Sequence, residues 1–217
     1  MSISEKIKSF KEQLPEDVTL VAVSKTKPVS EIMEAYNTGH RIFGENKVQE
    51  MESKWQEMPK DIEWHMIGHV QRNKVKYMAP FVSLIHSVDS KRLLKEINKR
   101  AKNEERVIDC LLQIKIAEED SKYGLDKEEA LELLASEAFQ KYENVNVIGL
   151  MGMATFTDDE KQIAAEFQKL KTIYDNIKEE YNFTKLSIGM SGDYKIAIEK
   201  GSNLVRVGSA IFGERNY

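Results

Sequence analysis

Lys25 closes the apolar run Leu20-Val21-Ala22-Val23-Ser24, and Lys27 and Pro28 follow at once. A run of that length with β-branched residues reads as a buried strand, and Pro28 bars its simple continuation. The spacing predicts an ammonium group at the end of a buried strand. Desolvation there lowers the pKa and readies the amine to form an imine with an aldehyde. The alternative is a strand-end lysine that snorkels to solvent. Far along the chain stand two turns of a different chemistry, Gly189-Met190-Ser191-Gly192-Asp193 and Val207-Gly208-Ser209-Ala210. Each is small, holds a hydroxyl and opens an expected helix. Free backbone N–H groups at such a turn favour an anion, and glycine lets the backbone approach it.

Apolar runs alternate with amphipathic stretches from end to end. Strands are expected at 19–24, 41–45, 62–68, 83–88, 107–116, 145–151, 185–189 and 203–208. Ser2 with Glu5, Asp126 with Glu129, and Thr157 with Glu160 each fit a capping box at a helix start. Within 158–181, Ile163, Phe167, Leu170, Tyr174 and Ile177 recur at three- and four-residue steps, one helical face. Within 126–140, Ala130, Leu133, Leu134 and Ala138 do the same. Strict strand–helix alternation implies a parallel sheet covered by helices. Eight repeats favour an α/β fold of one domain, a closed (β/α)8 TIM barrel, over an open doubly wound sheet. No Gly-x-Gly-x-x-Gly follows the first strand, which weakens a dinucleotide-binding reading.

In such barrels the chemistry sits where strands end, and a phosphate site is often built by the loops after strands seven and eight. Both glycine turns fall there. Strand one is the neighbour of strand eight in a closed barrel, so Lys25 and a phosphate would sit on adjacent strands. One cofactor fits that pair of features, pyridoxal 5′-phosphate (PLP). Arg206 lies two residues before Gly208, and strand side chains repeat every two residues, so it points into the barrel mouth. A guanidinium facing the ring nitrogen would keep that nitrogen unprotonated and weaken the ring as an electron sink. The alternative for Arg206 is a surface or core salt bridge.

Composition sets the outer bounds. At 217 residues, 41% hydrophobic and 31% charged, with a net charge of −4, the chain reads as an ordinary soluble domain. That charge gives no electrostatic reason to expect nucleic acid or an anionic membrane as partner. No apolar stretch approaches the roughly 20 residues of a membrane span. The N-terminus is amphipathic and lacks a signal peptide's apolar core. Cys110, the single cysteine, sits in an apolar run; it suits a reducing cytoplasm and a packing role. The charged stretch 91–106 reads as a solvated helix and loop. His65 and His69 straddle a strand end, about 13 Å apart if extended, too far for one metal ion. His40 and His86 read as isolated structural histidines. Ile42-Phe43-Gly44-Glu45 recurs as Ile211-Phe212-Gly213-Glu214, too short an echo to prefer duplication over chance.

Five motifs together resemble one family. They are Val21-Ala22-Val23-Ser24-Lys25-Thr26-Lys27-Pro28; Phe43-Gly44-Glu45-Asn46; Trp64-His65-Met66-Ile67-Gly68-His69-Val70-Gln71-Arg72-Asn73-Lys74; Gly189-Met190-Ser191-Gly192-Asp193; and Val205-Arg206-Val207-Gly208-Ser209-Ala210-Ile211-Phe212-Gly213. Over nearly its whole length the chain resembles the pyridoxal phosphate homeostasis proteins (the YggS/PROSC family), whose fold is similar to the barrel domain of alanine racemase. The resemblance implies a PLP imine at Lys25, phosphate contacts from Ser191, Gly208 and Ser209, Arg206 near the ring nitrogen, and Asn46 lining the pocket. It also matches Lys122, in Ser121-Lys122-Tyr123-Gly124, to a lysine near the cofactor region. Ser209 stands where many relatives have threonine, and Gly192 where a larger residue is common.

The resemblance implies a PLP binder that maintains vitamin B6 balance without an established catalytic activity. It holds PLP as a reversible lysine imine and exchanges it with apo PLP-dependent enzymes. The alternative is a weak PLP-dependent amino-acid racemase. Two-base proton transfer needs groups on both faces of the imine, and Lys25 supplies one face only. The sequence ends just after strand eight, where a racemase-like dimer would need a second domain, so a monomer is expected. Whether Lys27 or Lys122 acts in transfer stays open.

Overall fold

The computed structural model describes residues 1–118 and 123–214. Lys122 lies outside the described residues. The strands are β1 (Thr19–Val23), β2 (Ile42–Glu45), β3 (Glu63–Met66), β4 (Val82–Val88), β5 (Ile108–Gln113), β6 (Val145–Met151), β7 (Lys185–Ser187) and β8 (Leu204–Val207). Each pairs in parallel with the next, and β8 pairs with β1, closing the barrel. The (β/α)8 architecture read from the alternation is the one observed.

Around the barrel run α1 (Ile3–Gln13), α2 (Val29–Tyr36), α3 (Val48–Glu57), α4 (Val75–Met78), α5 (Lys91–Asn103), α6 (Lys127–Ala135), α7 (Glu137–Gln140), α8 (Glu160–Ile177), α9 (Tyr194–Glu199) and α10 (Ser209–Phe212). Strands covered on both faces need apolar residues on both, which is why β1 and β8 are near-continuous apolar runs. Inside the barrel, Val21, Leu84, Leu111, Met151 and Leu204 form a small cluster. The larger core joins the outward strand residues, such as Ala22, Phe43 and Trp64, to helix residues such as Ile32, Phe167 and Leu170.

The helix expectations hold in their periodicity and fail at some ends. Ile163, Phe167, Leu170, Tyr174 and Ile177 all face the core from α8. Ser2 and Asp126 make their capping boxes with Glu5 and Glu129. Thr157 does not cap α8: Asp159 does, accepting from the N–H groups of Lys161 and Gln162, and Thr157 instead supports Asp159. The stretch 126–140 is two helices. Ser136 adopts an extended backbone between them and caps the second through its hydroxyl, the competition that makes serine a poor interior helix residue.

Most strands end sooner than expected. The stretches 62–68, 107–116 and 185–189 shorten to β3, β5 and β7. Ile114, Ile116 and Ile188 stay buried beyond the ladders. Apolar periodicity reports burial rather than hydrogen bonding, and in a barrel the residues just past the ladder line the mouth.

Candidate functional site

Parallel strands bring all their C-terminal ends to one face. A cleft of about 480 Å³ opens there, lined by Lys25, Asn46, Ser191, Arg206, Gly208 and Ser209 among others. All six residues singled out from sequence meet in this one place. The β1–β8 register explains the closest juxtaposition: Val21 pairs with Arg206 and Ala22 with Val207, so Val23 and Lys25 rise beside Gly208. A Cβ on Gly208 would stand 3.2 Å from the Val23 Cβ and 3.3 Å from its carbonyl oxygen, so a larger residue would push the two strand ends apart.

Lys25 is half-buried. The turn that carries it is held from below by a buried ionic cluster. The Lys54 ammonium, from α3, donates to the Ser24 carbonyl at 2.8 Å and to Oε1 of Glu45 and of Glu50, each at 2.7 Å. The Ser24 hydroxyl donates to the same Glu45 oxygen at 2.6 Å, and the Thr26 N–H donates to Glu50 at 2.5 Å. Thr26 has φ 65°, a left-handed conformation that costs a side-chain-bearing residue about 1–2 kcal/mol. Burial pushes the Glu45 carboxyl up to about 7, against the pull of Lys54. Its Oε2 has no hydrogen-bond partner among the described residues. Sequence reading missed Lys54 and Glu45; the i, i+4 pair Glu50–Lys54 was the one local signal. Lys27 lines the cleft but is committed elsewhere. Its ammonium donates to the carbonyls of Phe212 and Glu214 and lies 3.6 Å from Glu31.

Arg206 is buried in the barrel with its guanidinium donating to the Ser187 carbonyl at 2.8 Å and the Gly152 carbonyl at 3.0 Å. It also donates to the Ser187 hydroxyl. These are hydrogen bonds to neutral oxygens, not the salt bridge held as the alternative. Burial draws the guanidinium down to about 10, opposed by Asp193, so it is charged at neutral pH. Behind it runs a chain of buried polar groups. The Ser187 hydroxyl lies 2.9 Å from Nδ1 of His86, and His86 Nε2 lies 3.0 Å from Nδ1 of His65. Because Arg206 can only donate, the serine proton goes to His86, and His86 donates in turn to His65. Both rings then carry their proton on Nε2. His86 is therefore not isolated, as its sequence surroundings suggested: β4 and β7 face each other across the barrel interior.

Burial holds these rings neutral, His65 pushed down to about 3 and His86 well below 6.5; His40, bonded to the Ile42 carbonyl, is pushed down to about 4. The unfolded chain takes up those protons near pH 6.5, so this stability is full above 6.5 and is lost as pH falls toward 4 and 3. Each ring contributes a slope of up to about 1.4 kcal/mol per pH unit. Glu45 acts in the opposite sense: its raised carboxyl favours folding as pH falls from about 7 toward 4.5. Three rings outweigh one carboxyl, so the urea midpoint is expected to fall between pH 6.5 and pH 4.5. A level or rising midpoint would contradict neutral burial of the histidines.

The two glycine turns join each other. The Gly208 N–H donates to the Ser191 hydroxyl at 3.0 Å, tying the loop after β8 to the loop after β7. Gly189 makes the β7 turn possible with φ 93°; a Cβ there would lie 2.5 Å from that of Ala197. The Met190 N–H donates to the Asp193 carboxylate at 2.5 Å. Among the described residues, the N–H groups of Ser191, Gly192, Ser209 and Ala210 donate to no acceptor. Of these, Ser191, Gly192 and Ser209 line the cleft.

The other residues raised by the sequence lie apart. His69 stacks on Tyr123 at 3.9 Å between ring centroids and bonds Asp89 at 2.8 Å, away from His65. Cys110 is buried, and burial pushes its thiol up, away from reactivity. A second cleft, of about 590 Å³, lies between α5 and α6, lined by charges of both signs including Lys91, Arg92, Glu129 and Glu132. None of the six residues reaches it.

Comparison with known proteins supplies the lineage of this site. The sequence pattern described as "Alanine racemase, N-terminal domain" matches residues 1–216. A protein of Aquifex aeolicus named pyridoxal phosphate homeostasis protein is 41% identical over 201 residues, covering 91% of this chain and 87% of that one. The structure of PipY from Synechococcus elongatus PCC7942 with PLP bound superposes with a TM-score of 0.89 at 33% identity, covering 98% of this chain and 100% of that one. An alanine racemase from Clostridium difficile shares the barrel at a TM-score of 0.78 and 14% identity; all of this chain aligns to 57% of that one.

Proposed function

The chain belongs to the family of pyridoxal phosphate homeostasis proteins, within the alanine racemase N-terminal domain family, and on that premise we propose that its cleft binds PLP for vitamin B6 homeostasis through Lys25. One observation carries the reading: the half-buried amine and the unused N–H groups of two linked turns line the same cleft from adjacent strands. The residues fit the group. Ser191, Gly208 and Ser209 would take the phosphate, Arg206 would face the ring nitrogen, and Asn46 would line the ring pocket. Bound there, PLP would supply an aldehyde that an amine can hold reversibly, with loss of one water on capture and uptake of one water on release. Lys25 is the amine placed for this, because it follows β1 directly and lines the cleft beside Gly208 and Ser209.

The same cleft supports a holder of PLP rather than an enzyme. Its ionisable side chains, among the described residues, are Lys25, Lys27, Asp158, Asp193 and Arg206. Lys27 is tied down, Asp193 accepts the Met190 N–H, Arg206 stays protonated and Asp158 is exposed. Among the described residues of the cleft, these leave no second buried base for proton transfer on the opposite face. Reversible capture at an amine then serves to keep a reactive aldehyde from other amines and to deliver it to apo-enzymes. A single cysteine, buried, suits the cytoplasm, and no helix among the described residues is long and apolar enough to cross a membrane.

The test is turnover against transfer. The PLP-loaded protein is expected to activate an apo PLP-dependent enzyme and to leave D- and L-alanine unchanged. Racemisation that disappears in Lys25→Ala would replace this reading with the weak racemase. Ser191→Ala tests the phosphate end. It removes one hydroxyl from the anion and the partner of the Gly208 N–H, and PLP affinity is expected to fall about tenfold. The cost in stability is about 1 kcal/mol, read from a urea titration. Unchanged PLP affinity would move the phosphate elsewhere.

A further inference from the structure

The residues on either side of Lys25 are both fastened to one cluster whose side chains lie outside the cleft lining. Lys54 is 7% exposed and Glu45 fully buried, and neither lines the cleft. Yet the Lys54 ammonium holds the Ser24 carbonyl, and Glu50, which it also holds, accepts the Thr26 N–H. The peptide units before and after Lys25 are thus tied to a single ammonium. Thr26 is kept in a left-handed conformation that a β-branched residue avoids unless something over-determines it. A buried ammonium with two carboxylate partners is a costly device for stability alone, since well-packed apolar residues often do as well. Its value is geometric.

We propose that Lys54 and Glu50 are positioning residues that aim the Lys25 amine into the cleft by clamping the peptide units on both sides of it. This deepens the reading of Lys25 as the PLP anchor and rests on it. The Glu50–Thr26 contact is the half of the clamp that can be opened without gutting the core, because the Glu50 side chain is 23% exposed. Lys54→Met would strand two carboxylates and endanger folding. Glu50→Ala removes the hold on Thr26 and one partner of Lys54, and lets the turn relax from φ 65°. Lys25 then samples directions other than the cleft. Glu50→Gln keeps an oxygen that accepts from both Thr26 and Lys54, and serves as the conservative rescue.

The experiment is PLP titration of the full chain followed by borohydride reduction and peptide mapping, on wild type, Glu50→Ala and Glu50→Gln, with a thermal melt of each. In Glu50→Ala, PLP affinity is expected to fall about tenfold, the loss of one charge-assisted hydrogen bond's worth of preorganisation. The pyridoxyl label is expected to spread from Lys25 to Lys27 while the protein stays folded. In Glu50→Gln, affinity and label are expected to return close to wild type. Wild-type affinity with all label on Lys25 in Glu50→Ala would overturn the inference alone. So would a Glu50→Gln as impaired as Glu50→Ala. A wild type that takes no label on Lys25 would overturn the PLP reading and this inference with it.

Discussion

Lys25→Ala is expected to lose the covalent hold on PLP entirely while keeping the fold. The substitution deletes a half-buried side chain at the cleft, and the contacts that build the turn run through the backbone of Ser24 and Thr26. The phosphate donors remain, so residual non-covalent binding is expected at least about 100-fold weaker, a loss of roughly 2.7 kcal/mol. The absorption band of the lysine imine should vanish, with the melting temperature within a degree or two of wild type. Lys27→Ala is the informative contrast. It should retain the band and lower the melting temperature, because Lys27 fastens the segment after α10 to the turn after β1. A band that survives in Lys25→Ala and disappears in Lys27→Ala would exchange the roles of the two lysines.

The second large effect is expected at Arg206, and it falls on the fold as much as on the ligand. Its guanidinium is the donor for two buried carbonyls on different strand ends, those of Ser187 and Gly152, and for the Ser187 hydroxyl. Arg206→Met keeps most of the stem's packing and deletes every donor. The Ser187 carbonyl keeps the Gly152 N–H at 3.1 Å, but the Gly152 carbonyl is left without a donor, at a cost of about 2 kcal/mol. For a domain of this size that lowers the melting temperature by about 6 °C. The Ser187–His86–His65 chain also loses its fixed direction, since Ser187 is no longer compelled to give its proton to His86. Arg206→Lys restores a charge but not the fork that reaches both carbonyls, so only partial recovery is expected. A wild-type melting temperature in Arg206→Met would mean that water satisfies the Gly152 carbonyl and that Arg206 serves the ligand alone.

Much of this arrangement was legible along the chain, for a physical reason. Barrel strands are buried on both faces and so write themselves as short apolar runs, and helices between them write a 3.6-residue period. Lys25, Ser191, Gly208 and Ser209 sit at fixed places relative to those runs, so counting strands was enough to bring them together. Strand ends were less legible. Ile188 and Ile116 are as buried as ladder residues while belonging to loops, and composition does not distinguish the two states. Thr157 and Asp159 are both capping residue types two positions apart, and only the backbone path chose Asp159. The long-range contacts left no local trace beyond the i, i+4 pair Glu50–Lys54. His86 and Ser187 are 101 positions apart, and Lys54 reaches Ser24 across 30. Neither pair has a spacing that periodicity can read. Those two networks hold Arg206 and the Lys25 turn, so sequence showed which groups meet at the cleft and the structure shows what steadies them.

The central claim is that Lys25 is the amine that takes PLP. The most direct measurement is to load the wild-type protein with PLP, reduce it with borohydride and map the modified peptide. A single pyridoxyl group on Lys25, with an imine band that saturates at one equivalent, is the predicted result. Label scattered over surface lysines, or no band at all, would contradict it and leave Lys25 a strand-end residue at the rim of a cleft with another purpose.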